Sequence, residues 1–233
     1  MGLNGKYALG ILLTFVFLAA AMLFAFPLIY ALTGVKTFTA TNFFYTRIAL
    51  WTVLLLIFLY QFLIEKEPFL LWKEKKYSVL FYIKAVIGLY LICAFGGAFL
   101  NFIIQVFTQE NLSRKVVQIA SLFRNNYPLM ISICLTAGVV EELLMRGYIQ
   151  PRIEKIYNSP YLGIFVSAAL FGILHSTYGT VGQVVIPFFI GIVFAVFYKT
   201  YSNIKILIIS HFMYDFVSMM IMNFIDIKHL SAF

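Results

Sequence analysis

The sequence predicts an all-α fold, a polytopic transmembrane bundle of about seven to eight spans in one integral membrane domain over residues 1–233. Three observations carry this. Apolar residues make up 63% of the 233 residues and charged residues 11%, where a soluble domain sits near ~45–50% and ~25%. Mean hydropathy is +0.95. Seven apolar runs are each close to the roughly 20 residues that a membrane helix needs.

In order, the predicted spans are 7–32, 43–64, 79–107, 128–149, 161–176, 181–201 and 204–225. The first run exceeds the roughly 7–15 residues of a signal-peptide core, so it reads as a span and not as a removed leader. Segment 108–127, "TQENLSRKVVQIASLFRNNY", is mixed. It fits either an amphipathic helix lying in the interface or an eighth crossing. Before the fifth span, "NSPYLG" offers Asn158 or Ser159 as a cap and Pro160 in the first turn. Pro27 and Pro187 are expected to kink their helices, which membrane helices tolerate. There is no repeat and no low-complexity tract. The protein divides into N-terminal spans with the interfacial segment (1–127) and a core carrying the chemistry (128–225).

The net charge of +8 follows the membrane borders and fits the positive-inside bias, not a nucleic-acid footprint. With the N-terminus inside, Lys6, Lys66, Lys73, Lys75, Lys76, Lys84, Arg146, Arg152, Lys155, Lys199 and Lys205 fall on the cytoplasmic side. Lys36, Arg47, Arg114, Lys115, Arg124 and Lys228 fall outside. The linker "EKEPFLLWKEKKYS" is then cytoplasmic and the "STYGT" turn external. Trp72 and several tyrosines mark the interfaces. Cys93 and Cys134 sit in apolar runs and read as small core residues. No metal cluster or disulfide framework is expected. A composition rich in Phe, Ile and Lys, without an organelle-targeting signal, favours a bacterial cytoplasmic membrane.

An ionisable residue inside a span is a functional candidate by default. Glu141, Glu142, Arg146, His175, His211 and Asp215 qualify, all in the last four spans. Asn101 and Gln105 share a face of the third span and are read as a structural hydrogen bond between helices. In "EELLMR", Glu142 and Arg146 are four apart and can pair, while Glu141 is turned about 100° away. In "FGILH", Phe171 and His175 share a face. In "HFMYD", so do His211 and Asp215. Polar groups on three helices that cannot face lipid argue for one shared site, because each offsets the others' desolvation. Glu141 and His211 fall roughly 10–12 Å from the cytoplasmic border and His175 about 20 Å deep. Tilt and an early start of the fifth span narrow that mismatch. The site is expected to open toward the cytoplasm.

A carboxylate beside a histidine can hold and deprotonate a water. A second histidine with a polar partner can stabilise a developing oxyanion. That is an acyl-hydrolysis set without a nucleophilic serine or cysteine. Zinc is the competing use of two histidines and two glutamates, but no "HExxH" pair is present. No cofactor is expected.

"EELLMR", "FGILH" and "HFMYD", in that order on late spans, resemble the EExxxR, FxxxH and HxxxN motifs of the CPBP intramembrane proteases. These are the CAAX proteases and bacteriocin-processing enzymes, or Abi family. The resemblance covers roughly 128–224. It implies a metal-independent glutamic endopeptidase in a helical bundle, acting on a peptide or membrane-protein substrate among lipids. It implies that Glu141 and His175 activate the water. Glu142 and Arg146 would support the site, with Phe171 in the second motif, while His211 and Asp215 form the oxyanion hole. Asp215 stands where the motif has asparagine, and an ionised carboxylate donates no hydrogen bond. Asp215 is therefore either a protonated donor or an anchor for His211, or catalysis here differs from the type case. Two other function classes compete. A bacteriocin self-immunity factor would bind with these motifs instead of cutting. A transporter would use them as a proton relay, against which stands the absence of a visible inverted repeat.

Overall fold

The computed structural model describes residues 1–34, 37, 39–110 and 114–224, the side chain of Arg114 excepted, with no strand among them. Lys36 and Lys228 of the charge count and Ile225 of the last predicted span lie outside the described residues. The helices are α1 (Leu3–Thr33), α2 (Ala40–Glu65), α3 (Val79–Thr108), α4 (Arg114–Phe123), α5 (Tyr127–Tyr157), α6 (Pro160–Tyr178), α7 (Gly182–Tyr201) and α8 (Ile204–Phe224). All but α4 are long and apolar enough to cross a membrane, which gives a multi-pass helical membrane protein with seven spans. At 1.5 Å per residue α4 is about 15 Å long, too short to cross. Its apolar side packs Ile119, Leu122 and Phe123 against Phe43, Leu129, Met130 and Phe216. The choice left open for 108–127 thus falls to a short amphipathic helix.

Side-chain oxygens start the spans where the sequence offers them. Thr39, Ser78, Asn126 and Ser159 accept from the backbone N–H of Asn42, Phe81, Leu129 and Leu162. Each satisfies an otherwise orphaned donor in the first turn. Ser159 is thus the cap before Pro160. Pro27 and Pro187 lie inside α1 and α7, which continue through them.

The two ends of the bundle differ. One carries the α2–α3, α5–α6 and α7–α8 connections and is closed by polar contacts. Glu74 accepts from Ile204 N at 3.2 and 3.0 Å. Lys75 N donates to Ser202 O at 3.0 Å. Asn203 Nδ2 donates to Lys75 O and the Tyr82 hydroxyl at 2.8 and 2.9 Å. Beneath them Arg152 donates from Nε and Nη2 to Glu65 Oε2 at 2.9 and 2.6 Å, and Tyr148 donates to the same carboxylate. The other end carries α4 and the α6–α7 turn.

Two expectations are corrected here. Arg146 and Arg152, counted as border charges, are wholly buried and paired with glutamates. Their helix runs on to Tyr157, so neither snorkels at a membrane edge. Asn101 and Gln105 do not bridge helices. Both are exposed on α3, with no side-chain hydrogen bond among the described residues. Trp72, read as an interface marker, lies at the closed end of the bundle, with its ring 5.0 Å from that of Tyr198 and Lys199 Nζ 4.9 Å above it.

Candidate active site

The first motif sits where α5 loosens. From Ala137 to Glu141 and again from Leu143 to Ile149 the backbone takes π-helical geometry. Such wide turns are uncommon and occur often at functional sites. Within the first of them, Gly138 lets α5 approach α8. A Cβ there would lie 2.9 Å from Ile208 O and 3.3 Å from Phe212 N. The close approach brings α5 carboxylates within reach of an α8 histidine.

Glu142 is fully buried. Its Oε1 accepts from Arg146 Nη1 at 3.0 Å and from His211 Nδ1 at 2.7 Å. A carboxylate paired with arginine only accepts, so Nδ1 carries a proton. The Arg146 guanidinium lies over the rings of Phe171 at 4.6 Å and Phe194 at 5.7 Å. Those π-faces help a cation in an apolar bundle. Gly191 leaves room for it, since a Cβ there would stand 3.3 Å from Nη2.

His211 Nε2 points toward two more carboxylates, Asp215 Oδ2 at 3.4 Å and Glu141 Oε2 at 3.9 Å. Glu142 holds Nδ1, and Asp215 stands at the ring's other nitrogen. Because Nδ1 is committed, His211 donates from Nε2 only as an imidazolium.

His175 ends the regular part of α6, at the start of a 3₁₀ turn. Its Nδ1–H donates to Phe171 O at 2.8 Å, the carbonyl one turn back. That leaves Nε2 of a neutral ring as an acceptor. Phe171 is the hub of the cluster. Its ring stands 4.7 Å from the His175 ring and 6.0 Å from that of His211, besides capping Arg146.

Glu141 and His175 line one cavity, together with Arg47, Met145, Phe171 and Tyr178. A second space, also bordered by Phe171 and His175, is lined by His211, Tyr214 and Asp215. Ile119 of α4 borders both. Neither is lined by any residue of the closed end, so both open toward the α4 end. The charge count puts that end outside, whereas the site was expected to open to the cytoplasm. The two expectations exclude one another, because a mouth beside α4 is cytoplasmic only if the N-terminus is not.

All seven candidate residues are thus brought into one neighbourhood. No three of the His, Cys, Asp and Glu side chains converge to hold a metal ion among the described residues. Sequence reasoning passed over Arg47. It falls inside the predicted span 43–64, and the rule that singled out the other six applied to it as well. It also passed over Glu65 and Arg152, whose place near span ends resembles ordinary border charge.

Fold and site define the class: a seven-span helical protein whose charged groups from three late helices meet inside the bundle. Residues 123–217, which carry all three motifs, match the family model described as Rce1-like, type II CAAX prenyl endopeptidase. This segment is thus similar to the type II CAAX prenyl endopeptidases, in line with the resemblance of its motifs, and residues 1–122 lie outside the match. No curated protein and no solved structure matches the chain.

Proposed function

We propose that the protein is an intramembrane endopeptidase that hydrolyses peptide bonds of membrane-associated substrates by a glutamate-activated water, without a metal ion. The observation that supports this best is that Glu141 and His175, on different helices, line one cavity, with His211 Nε2 3.9 Å from Glu141. Glu141 takes a proton from a water that His175 Nε2 also holds, and the hydroxide adds to the scissile carbonyl. The developing oxyanion is met by the Nε2–H of an imidazolium at His211, whose charge Glu142 balances, and by Asp215 as a neutral donor. Glu141 then returns its proton to the departing amine, and the C–N bond breaks. Arg146 holds Glu142 in place through its hydrogen bond. The work is done in a bacterial membrane, on a leader peptide, a signalling peptide or a membrane protein.

The test is a comparison of peptide termini in membranes holding wild type or Glu141→Gln at equal levels. Termini present with wild type and absent with the variant identify the cut. Identical terminus sets, with the biological activity intact, would refute the protease reading in favour of a binding protein.

A further inference from the structure

We propose that Arg47 binds a carboxylate of the peptide substrate inside the Glu141 cavity, so that the site selects peptides bearing an anion a few residues from the bond it cuts. The proposal rests on the endopeptidase reading and adds a specificity group from outside the segment that matches the family.

Arg47 belongs to α2, yet its side chain lines the cavity of Glu141 and His175. Its Nε and Nη2 donate to Thr46 Oγ1 at 3.1 and 2.8 Å, and its guanidinium carbon stands 4.8 Å from the Phe43 ring centre. These contacts are neutral. Among the described residues no carboxylate lies within 4.0 Å of Arg47, whereas Arg146 and Arg152 each have a glutamate. A cation in a membrane helix is costly unless it meets an anion. The two buried arginines follow that rule within the protein. Arg47 feels Glu141 across the cavity from beyond 4.0 Å and gains a directly paired anion only when something enters. A guanidinium has five N–H donors in a planar fork that suits a carboxylate. Two of them serve Thr46, and Nη1 stays available for bidentate pairing.

Position fits the same use. Trp51 Nε1 donates to Thr136 Oγ1 at 3.2 Å and pins α2 to α5. Arg47 is one turn nearer the mouth than Trp51, and Glu141 is five residues deeper than Thr136. The axial offset is then about 13 Å at 1.5 Å per residue, the reach of roughly four extended residues at ~3.3 Å each. A peptide entering past α4 can set a carboxylate on Arg47 with a backbone carbonyl at Glu141. At the mouth Lys115 Nζ donates to Thr177 O at 3.0 Å and stands 5.4 Å from the Tyr178 ring, adding positive potential along that path. Glu141 itself has its nearest cationic partner in His211, not in Arg47.

The carboxylate has two possible sources, the α-carboxylate at the end of a peptide or an Asp or Glu side chain within it. Three fluorescent N-palmitoylated apolar pentapeptides separate them: one ending in a free carboxylate, its C-terminal amide, and an amide with one interior residue replaced by Asp. Binding to full-length Glu141→Gln in lipid nanodiscs is compared with binding to Glu141→Gln/Arg47→Gln and Glu141→Gln/Arg47→Lys. Cleavage is followed in parallel on wild type, Arg47→Gln and Arg47→Lys. The expected result is that one carboxylate peptide binds about 10-fold or more tighter than the plain amide. Arg47→Gln should bring that ratio close to one, and Arg47→Lys should keep part of it. A ratio near one before substitution, or a ratio that survives Arg47→Gln, overturns the proposal. If Arg47→Gln fails to fold, full retention of the ratio by Arg47→Lys overturns it and partial loss supports it. Because binding is read on a variant that cannot cut, failure of the protease reading shows separately, as absent cleavage by wild type.

Discussion

Glu142 Oε1 accepts the Nδ1–H of His211 at 2.7 Å, joining two motifs 69 residues apart. The same oxygen accepts from Arg146. One carboxylate therefore supports the arginine, sets the histidine tautomer and leaves His211 Nε2 facing Glu141 and Asp215.

Glu142→Gln is expected to cost stability as well as rate. It leaves a fully buried guanidinium without an anion, a loss on the order of 3–5 kcal/mol. Thermal unfolding in detergent should show a clear fall in Tm. A second change, Arg146→Met, removes the stranded charge and should recover part of it. A Glu142→Gln protein with unchanged Tm and full activity would refute this role.

Glu141→Gln and His175→Ala are each expected to lower cleavage at least ~100-fold, the scale of general acid–base catalysis, while both proteins insert normally. Arg146 is paired with Glu142 and not with either of these residues, so Tm should stay close to wild type. Normal turnover by either well-inserted variant would mean that another group activates the water.

Asp215→Asn is expected to retain most activity and Asp215→Ala to lose about 10-fold or more. Glu142 already fixes His211 Nδ1, so Asp215 is not needed as an anchor. It stands 3.4 Å from the ring's other nitrogen, where an amide can replace a protonated acid as donor. Equal loss in both variants would rule out the donor role.

Chelator-treated, purified enzyme is expected to keep its rate. Loss of activity that one equivalent of zinc restores would replace the glutamic mechanism with a metal-dependent one.

The cavity mouth is expected on the extracytoplasmic side. Lys66, Lys73, Lys75 and Lys76 crowd the closed end, and basic loops stay inside. In intact cells, a membrane-impermeant thiol reagent should label Gln183→Cys and spare Lys73→Cys, in a background where Cys93 and Cys134 are replaced by alanine. The reverse pattern would put the mouth in the cytoplasm and make this protein an exception to the charge bias.

Apolar runs of membrane-crossing length were sufficient for the seven spans, because a backbone in lipid must satisfy its hydrogen bonds within the helix. Helical period was sufficient for the local pairs Glu142–Arg146 and His211–Asp215, which lie four residues apart on one face. It also marked Glu141 and His175, since charge inside an apolar run is conspicuous in one dimension. Contacts between helices depend instead on the rotation, depth and spacing of whole spans, which no local pattern encodes. The π turns of α5 rotate the carboxylates, and Gly138 sets how closely α8 approaches. The Glu142–His211 bond, the Glu65–Arg152 pair, Arg47 facing Glu141 in one cavity and the mouth beside α4 were therefore decided only by tertiary packing.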